Sequence, residues 1–371
     1  MRVKLEEVCE RGSSNLKQSD VIDKTGEYPV YGATGYLGNV DFYHQEKPYV
    51  AVVKDGAGIG RTTLYPSKSS IIGTMQYLLP KENVLPEYLC YVVRYMHLEK
   101  YFTGATIPHI YFKDYKNEEF NLDTLDRQIE IVGILKKVEN IIELRRQEIE
   151  KLDDLIKSRF VEMFGDMFLN TMRWNEHPLE SMADIVSGIT KGRKIKEQSM
   201  IKVPYMAVSN VKDGYIDWTT VKTIEATERE IEQYRLLPDD VLMTEGGDPD
   251  KLGRGAIIKE PLENCIHQNH IFRVRLNESM ILPFFFAEYL KHQKSKRYFL
   301  GCAKQTTGIA SINMRQLKAL PVLLPPLELQ ERFVTFVAQT DKSKLTIQKS
   351  LDELEILNKA LMQKYFGGNE V

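Results

Sequence analysis

Side chains of the types that bind phosphates and base edges are concentrated in the glycine-rich segments of this chain. Turns rich in Gly let the main chain approach a phosphate closely, while Arg and Lys supply charge and bidentate donors. Asn and Gln match the hydrogen-bonding edge of adenine, and Arg matches that of guanine. Before residue 123 the candidates for DNA contacts are Thr34, Lys54, Arg61, Thr74, Gln76 and His109. Between residues 166 and 322 they are Asn210, Lys212, Thr244, Lys251, Arg254, Gln268, Asn269, His270, Lys304, Thr306 and Asn313.

Any one of these side chains has a plain surface or capping role as its alternative, and only their recurrence in two segments favours a nucleic-acid ligand. The formal charge of −2 gives no global sign of DNA binding, so contacts must come from local patches. With 371 residues and 43% hydrophobic content, the chain has material for two domains with ordinary cores.

Patterns that suggest catalysis or metal binding do not hold up in this sequence. Residues 55–62 resemble a phosphate-binding P-loop, but Asp55 replaces its first Gly and Arg61 its Lys, which disfavours an ATP site. Cys265, His267 and His270 lack a second ligand pair at the spacing of a structural zinc site. No Ser-His-Asp set, nuclease carboxylate cluster or Pro-Pro-aromatic methyltransferase motif is present. We therefore predict a non-catalytic chain without a metal site.

Cysteine usage and hydropathy bear on the cellular compartment. The four cysteines are scattered and form no CxxC pair, which favours a reducing environment. The N-terminal segment has no apolar signal-peptide core, and no run of 18 apolar residues occurs. We expect a cytoplasmic protein with no membrane partner.

The elements that would position these side chains are duplicated. Residues 105–165 align without a gap to residues 307–367, an offset of 202 that pairs Gln128 with Gln330 and Gly165 with Gly367. Such a period is far longer than that of solenoid repeats. It indicates two α/β (α+β) domains, each followed by a long helix. The predicted segments are a first domain at 1–122, a helix at 123–165, a second domain at 166–322 and a helix at 323–371.

The two helices are expected to pack against each other. Each has about 40 residues, hence a length of about 60 Å, and a helix that long needs support. Apolar residues at three-and-four spacing form a seam. Domain two lies at the end of helix one and at the start of helix two, so packing requires helix two to return antiparallel toward domain one, as a coiled coil. The alternative is an ordinary helical hairpin inside one compact protein.

Apolar doublets such as Ile134-Leu135 widen the stripe of the first helix beyond a two-helix seam. Helices of another chain could cover the excess, whereas burial against the globular domains is the alternative. The residues assigned to partner binding are Ile134, Ile141, Leu155, Val161, Phe333 and Phe336.

A weaker repetition joins the two globular segments. Residues 28–31 resemble 203–206, residues 53–56 resemble 243–246, and Gly60-Arg61 matches Gly253-Arg254. The side chains around these matches differ strongly. A shared scaffold with different loops is expected of two domains that bind different ligands.

At the helix starts, the chain resembles the DNA specificity (S) subunit of type I restriction–modification systems. Residues 324–334, LPPLELQERFV, are similar to the "LPPLxEQ" helix entry of that family, and residues 122–128, LDTLDRQ, keep its leucines and Gln128 without the prolines. Residues 28–35, 237–255 and 306–313 resemble segments of target recognition domains. The resemblance covers essentially the whole chain.

That resemblance implies two target recognition domains held apart by two antiparallel helices. It also implies double-stranded DNA as ligand, two methyltransferase (M) subunits docked on the helices, and restriction (R) subunits when cleavage occurs. S-adenosylmethionine, ATP and Mg²⁺ would belong to those partners and not to this chain.

From the repeat itself, two domains related by a pseudo-two-fold axis should meet two half-sites. Different loops should make the target asymmetric and interrupted, and the helix length limits its span to roughly 18 base pairs. The competing hypotheses are a coiled-coil scaffold whose heads bind protein or RNA, and an orphan specificity subunit.

Overall fold

The chain folds into two units, each built from a mixed α/β domain and parts of two long helices. The structure is a computed structural model that describes residues 1–104, 108–193, 199–247, 252–306 and 309–367, with only the main chain described at 305, 306 and 309. The first unit comprises Met1–Glu148 and Ile347–Val371, and the second comprises Ile149–Thr346.

In its described part, the first unit begins with nine short strands and three short helices. Its strands are β1 (Arg2–Lys4), β2 (Cys9–Ser13), β3 (Tyr28–Gly32), β4 (Gly35–Val40), β5 (Tyr49–Val53), β6 (Thr62–Tyr65), β7 (Ser70–Ile71), β8 (Met75–Pro80) and β9 (Glu119–Asn121). Its short helices are α1 (Leu5–Val8), α2 (Pro86–Tyr95) and α3 (Phe112–Tyr115). The first long helix, α4, is Leu125–Phe164.

Strand β5 is the centre of the first domain. It lies inside an antiparallel sheet of order β2-β8-β5-β6, and all five of its residues are buried. Because side chains alternate along a strand, Val50 and Val52 join the cluster that contains α2, while Ala51 and Val53 join the opposite one with Tyr77. A second sheet has the order β4-β3-β7, with β3 and β7 parallel.

The second unit contains twelve strands and four short helices in its described part. The strands are β10 (Asn175–Pro178), β11 (Ala183–Ser187), β12 (Ile201–Met206), β13 (Lys222–Ala226), β14 (Val241–Thr244), β15 (Gly246–Gly247), β16 (Gly255–Ile257), β17 (Ile266–His267), β18 (Ile271–Leu276), β19 (Lys304–Thr306), β20 (Ile309–Ser311) and β21 (Pro321–Leu324). The helices are α5 (Glu228–Tyr234), α6 (Pro283–Lys291), α7 (Gln293–Cys302) and α8 (Met314–Lys318). The second long helix, α9, is Leu327–Phe366.

The second domain repeats the topology of the first. Its main sheet has the order β11-β18-β14-β16, which matches β2-β8-β5-β6 strand for strand. Its second sheet, β13-β12-β17, matches β4-β3-β7 and again combines one antiparallel and one parallel pair. Helices α2 and α6 both begin at a proline, which suits the first helical turn. The predicted fold class of two tandem α/β domains, each followed by a long helix, is confirmed.

The long helices are equal in length and pair within each unit. Both have 40 residues, and their first and last residues differ by the predicted offset of 202. In the first unit the early part of α4 meets the late part of α9, where Arg146 and Glu355 lie 2.6 Å apart. In the second unit the late part of α4 meets the early part of α9, where Asp153 and Lys344 lie 2.7 Å apart. Both contacts require the antiparallel direction that connectivity predicted.

A buried glutamine joins each long helix to its domain. Gln128 and Gln330 are fully buried, and their Oε1 atoms accept hydrogen bonds from the main-chain nitrogens of Leu85 (2.8 Å) and Leu282 (2.9 Å). Leu85 and Leu282 directly precede α2 and α6. The glutamine Nε2 groups donate to carbonyls on either side, those of Asn83 and Asp123 in one unit and of Met280 and Pro325 in the other.

Candidate nucleic-acid interface

Three segments of the first domain meet at one edge, and they carry three of its six candidate residues. The loop after β5 approaches the segment before α3, where Asp55 Oδ1 lies 2.7 Å from His109 Nδ1. The nitrogen of Lys54 donates to the carbonyl of Thr74 (3.0 Å), which belongs to the turn before β8. The nitrogen of Ile110 donates to the carbonyl of Lys54 (2.9 Å). The structure thus brings three of the predicted residues, Lys54, Thr74 and His109, close together.

Arg61 and Thr34 form a second pair of predicted residues at this domain. Arg61 Nη1 donates to the carbonyl of Ala33 at 3.0 Å, so the guanidinium fixes the turn between β3 and β4. Thr34 is exposed at the tip of that turn. Gly60, just before Arg61, has φ of +80°, a conformation that favours glycine and lets the loop close tightly.

The second domain has the corresponding edge. Glu245 follows β14 as Asp55 follows β5, and its carboxylate bonds to Nδ1 of His270. The Nδ2 atom of Asn269 lies 3.4 Å from His270 Nε2, and Gln268 Oε1 accepts from the nitrogen of Val208 at 3.4 Å. Gln268, Asn269 and His270 are consecutive in the turn that leads into β18.

Arg254 and Lys212 also lie at loops of the second domain. The nitrogen of Thr244 donates to the carbonyl of Arg254 at 3.3 Å, as expected where β14 and β16 pair. The Nε atom of Arg254 is buried without a hydrogen-bond partner among the described residues. Lys212 is half-buried in the loop between β12 and β13, and Lys304 is exposed at the start of β19.

Three predicted contact residues are buried instead and hold the fold together. Asn210 is fully buried, accepts from the nitrogen of Ala207 and donates to the carbonyl of Asp217 at 3.0 Å. Gln76 is only 5% exposed, and its side chain donates to the carbonyl of Gly12 across β2 and β8. Thr244 is 1% exposed within the central strand of the sheet. Their assignment to DNA contacts is wrong because none of these side chains reaches the surface.

Asn313 has a local role as well. Its side chain accepts from the nitrogen of Gln316 at 2.9 Å and caps α8, while Gln316 returns a bond to the nitrogen of Asn313. Among the remaining predicted residues, Lys251 and the side chain of Thr306 lie outside the described part of the chain.

The P-loop-like segment and the histidine of the zinc-like motif have structural roles. Residues 55–62 connect two antiparallel strands, β5 and β6, and no helix follows them as in a P-loop. His267 is fully buried, and its ring nitrogens face the carbonyls of Tyr234 (3.1 Å) and Val186 (3.3 Å). Burial lowers the pKa of His267 to about 4 and raises the pKa of the Cys265 thiol to about 12. Within the described ranges, no three acidic, histidine or cysteine side chains converge as metal ligands would.

Most of the residues predicted to bind a partner lie on exposed parts of the first long helix. Ile134, Ile141, Leu155 and Val161 are between 36% and 47% exposed. Phe333 is fully buried against Phe160 and Phe164 of the second unit, so its assignment to a partner surface is wrong. The Phe333 ring lies in the inner seam and fills the junction between helix and domain.

Phe336, the remaining predicted partner residue, is half-buried. It packs at the edge of the second unit's core, and the guanidinium of Arg159 lies 5.7 Å from the centre of its ring.

Two features of the site escaped the sequence analysis. The sequence repeat aligns Gln128 with Gln330, but it does not indicate that both side chains are buried. The repeat also aligns Asp55 with Glu245, although nothing in the sequence indicated that each would hold a histidine.

Across the described parts of the chain, no helix combines the length and hydropathy needed to cross a bilayer.

The chain thus consists of two domains of one topology, each with its own set of loop side chains and each tied to a long helix. The family model described as "Type I restriction modification DNA specificity domain" matches residues 1–154 and 172–356. The chain therefore belongs to the family of type I restriction–modification DNA specificity subunits, whose members supply specificity rather than catalysis. The resemblance noted in the sequence, and the prediction of a non-enzymatic chain, are confirmed by this match.

Named relatives agree with the family. A putative type I restriction enzyme MjaX specificity subunit of Methanocaldococcus jannaschii is 30% identical over 190 residues, which cover 51% of this chain and 45% of that protein. The EcoKI specificity subunit of Escherichia coli is 25% identical over 177 residues, which cover 46% of this chain and 38% of that protein. These matches span less than half the length of either relative.

Solved structures share the fold over nearly the whole chain. The type I system S subunit from M. genitalium has a TM-score of 0.58 at 17% identity, covering 99% of this chain and 96% of that one. A chain from a study of complex assembly and conformational transition of the type I R-M system has a TM-score of 0.55 at 15% identity, covering 98% of this chain and 97% of that one.

Proposed function

We propose that this chain reads a bipartite, asymmetric and interrupted DNA target, one half with each domain. The observation that carries the proposal is the matching topology of the two domains together with their different loop chemistry. In the first domain Lys54, Arg61 and His109 gather at one edge. In the second, a run of Gln, Asn and His occupies the turn into β18. Equivalent edges with different side chains suit two different half-sites.

The chemistry of each side chain then indicates which part of the DNA it would contact. Lysines and the exposed threonines would contact phosphates, which fix the register of a protein on DNA without reading its sequence. Arg61, Arg254, Gln268 and Asn269 have the bidentate groups that pair with guanine or adenine edges. The further residues assigned to this interface are Thr34, Lys54, Thr74, His109, Lys212, Lys251, His270, Lys304, Thr306 and Asn313.

The exposed apolar residues of α4 support a second part of the proposal, the recruitment of adenine methyltransferase subunits. Ile134 and Ile141 lie on the part of α4 in the first unit, and Leu155 and Val161 on the part in the second, so each unit offers a surface. Two methyltransferase subunits would dock there, and restriction subunits would join for cleavage. S-adenosylmethionine, ATP and Mg²⁺ would be bound by those partners, in the cytoplasm. The target adenine would leave the base stack at a cost of about a few kcal/mol.

Arginine substitutions at equivalent positions test the bipartite proposal. Arg61→Ala should weaken binding to one half-site and Arg254→Ala to the other, each by roughly 5- to 100-fold for one good base contact. Affinities would be measured by fluorescence anisotropy on duplexes in which one half-site at a time is scrambled. Lys47→Ala and Arg229→Ala, at exposed positions of the two domains, serve as matched controls. Equal loss at both half-sites, or no loss, would contradict the assignment.

Arg61 also fixes a turn, so its variant needs a control for folding. An unchanged thermal unfolding midpoint would assign the loss of affinity to the missing DNA contact.

Salt dependence separates this function from a coiled-coil scaffold whose heads bind protein, and co-purification separates it from an orphan specificity subunit. A DNA reader that neutralises several phosphates loses affinity steeply as salt rises, whereas a protein adaptor does not. An orphan subunit would keep the salt dependence and fail to retain methyltransferase subunits in co-purification.

A further inference from the structure

The two domains hold a carboxylate at the same place in their folds. Asp55 and Glu245 both follow the third strand of the main sheet, in sheets of matching order. Each is followed by a glycine, Gly56 and Gly246, within the pair of segments that the sequence repeat aligns. A carboxylate at a surface meant for DNA is unfavourable for binding phosphates, so its presence in both domains calls for a specific use.

Each carboxylate is held by a histidine, and the two histidines come from different loops. Nδ1 of His109, from the segment before α3, lies 2.7 Å from Asp55 Oδ1. Nδ1 of His270, from the turn before β18, contacts Glu245 Oε2. Because the imidazoles are supplied by non-equivalent segments, repetition of the backbone alone does not account for the pair. The common feature is an acid with one oxygen fixed by an imidazole.

Both pairs remain open to a ligand. The side chains of Asp55 and Glu245 are 30% and 33% exposed, and those of His109 and His270 are 37% and 56% exposed. The second oxygen of Asp55 has one distant cation, Lys54 Nζ at 3.9 Å. An ionised carboxylate accepts hydrogen bonds and cannot donate them, so it selects for a donor. In the major groove the donors are the exocyclic amino groups, N4 of cytosine and N6 of adenine.

We propose that Asp55 and Glu245 are specificity-determining residues that each accept a hydrogen bond from the exocyclic amino group of one base in the major groove. Asp55 reads one base pair of the half-site bound by the first domain, and Glu245 one of the half-site bound by the second. His109 and His270 are positioning residues that hold the carboxylates toward the groove. The inference rests on the proposed function, because it assigns roles within that DNA interface.

Isosteric amides separate this role from a structural one. Asn or Gln presents both a donor and an acceptor, so Asp55→Asn and Glu245→Gln should no longer demand an amino group. The preference for cytosine or adenine at one base pair should fall about tenfold, in line with the discrimination of one good base contact. Affinity for DNA of unrelated sequence should rise, because a negative charge is removed.

Substitution of the histidines gives a second test of the same base contact. His109→Ala should relax the same base pair as Asp55→Asn, and His109→Gln should restore the preference because its amide can still donate to the carboxylate. The double variant Asp55→Asn/His109→Ala should be no more relaxed than the single variants, since both act on one contact. A histidine that served only to hold two loops together would not respond in this base-specific way.

The experiment is selection from duplexes randomised around the wild-type target, using the full chain in complex with its methyltransferase subunits. Base preferences of the variants would be compared position by position with those of the wild type. Asp41→Asn and Glu263→Gln, at exposed carboxylates in the two domains, are the matched controls and should leave every preference unchanged. The base enriched by the wild type at the relaxed position tells whether cytosine N4 or adenine N6 is the donor.

Two different failures can be told apart. If the wild-type complex enriches no sequence, the proposed function is wrong and this inference falls with it. If the wild type enriches a bipartite sequence but Asp55→Asn and Glu245→Gln change no position, or change all positions alike, the inference alone is overturned.

Discussion

At the residue scale, buried polar side chains fix the junctions between the long helices and their domains. Gln128 and Gln330 each satisfy a main-chain nitrogen and two carbonyls at the junction of a long helix with its domain. A buried polar group without a partner costs roughly 1–3 kcal/mol, so such a junction tolerates little change.

Replacing the glutamine should destabilise one unit. Gln330→Leu leaves the nitrogen of Leu282 and two carbonyls without partners, and we expect a loss of about 2–4 kcal/mol in the free energy of unfolding. Chemical denaturation would measure the loss, and hydrogen exchange would place it in the second unit. Gln339→Leu, an exposed position on the same helix, should stay within about 0.5 kcal/mol of the wild type. Equal effects of the two substitutions would contradict this role.

His267 should make the second unit sensitive to acid. Burial lowers the pKa of its ring from 6.5 to about 4. The unfolded chain therefore takes up the proton first as pH falls, and stability that is fully present above pH 6.5 is lost progressively toward pH 4. The loss attributable to this ring is about 3 kcal/mol, at 1.36 kcal/mol per pKa unit.

Unfolding free energies of wild type and His267→Gln, measured from pH 7 down to pH 4, should converge as the wild type loses its advantage. His97→Gln, which removes an exposed imidazole, is the matched control. A wild-type curve parallel to that of His267→Gln would show that the buried ring does not titrate in this way.

Residue types alone do not separate exposed loop positions from buried ones. Lys54, Arg61 and His109 are candidates because glycine-rich turns and basic residues are typical of loops. Asn210 and Gln76 have the same polar types, yet one closes a turn and the other bonds across a strand pair. The amide group serves either purpose equally well, and only packing decides which, so the sequence alone does not separate them.

The long helices carry the clearest sequence signal at the element scale. Their 202-residue offset and three-and-four periodicity predicted both helices, expected at 123–165 and 323–371 and observed at Leu125–Phe164 and Leu327–Phe366. Helices α2 and α6 were not identified from the sequence. The α2 helix buries six consecutive residues, from Tyr88 to Val93, and such a continuous buried run also suits a strand. A helix buried on most sides cannot be told from a buried strand by periodicity.

The outer face of α4 should matter for assembly and not for folding. Ile141 and Leu155 are 42% and 46% exposed, so Ile141→Glu and Leu155→Glu should change the unfolding free energy by no more than about 0.5 kcal/mol. Each substitution should sharply reduce the methyltransferase retained in co-purification, because it places a charge in an apolar interface. Lys151→Glu, an exposed polar position on the same helix, is the control for charge. Undiminished retention by Ile141→Glu and Leu155→Glu would contradict docking on this face.

The duplication organises the whole molecule. The sequence repeat predicted two domains of one topology, and the matching sheet orders bear this out. It could not predict the loops, because the side chains at equivalent edges differ between the copies. That divergence is the physical basis for expecting two different half-sites.

The most direct test of this account is a genome-wide map of methylated adenines, with this chain expressed beside its methyltransferase in a host free of methylation. The account predicts one interrupted, asymmetric motif modified on both strands, in which Arg61→Ala disturbs one half and Arg254→Ala the other. A complex that assembles yet adds no methylation, or that modifies a continuous palindrome, would contradict it.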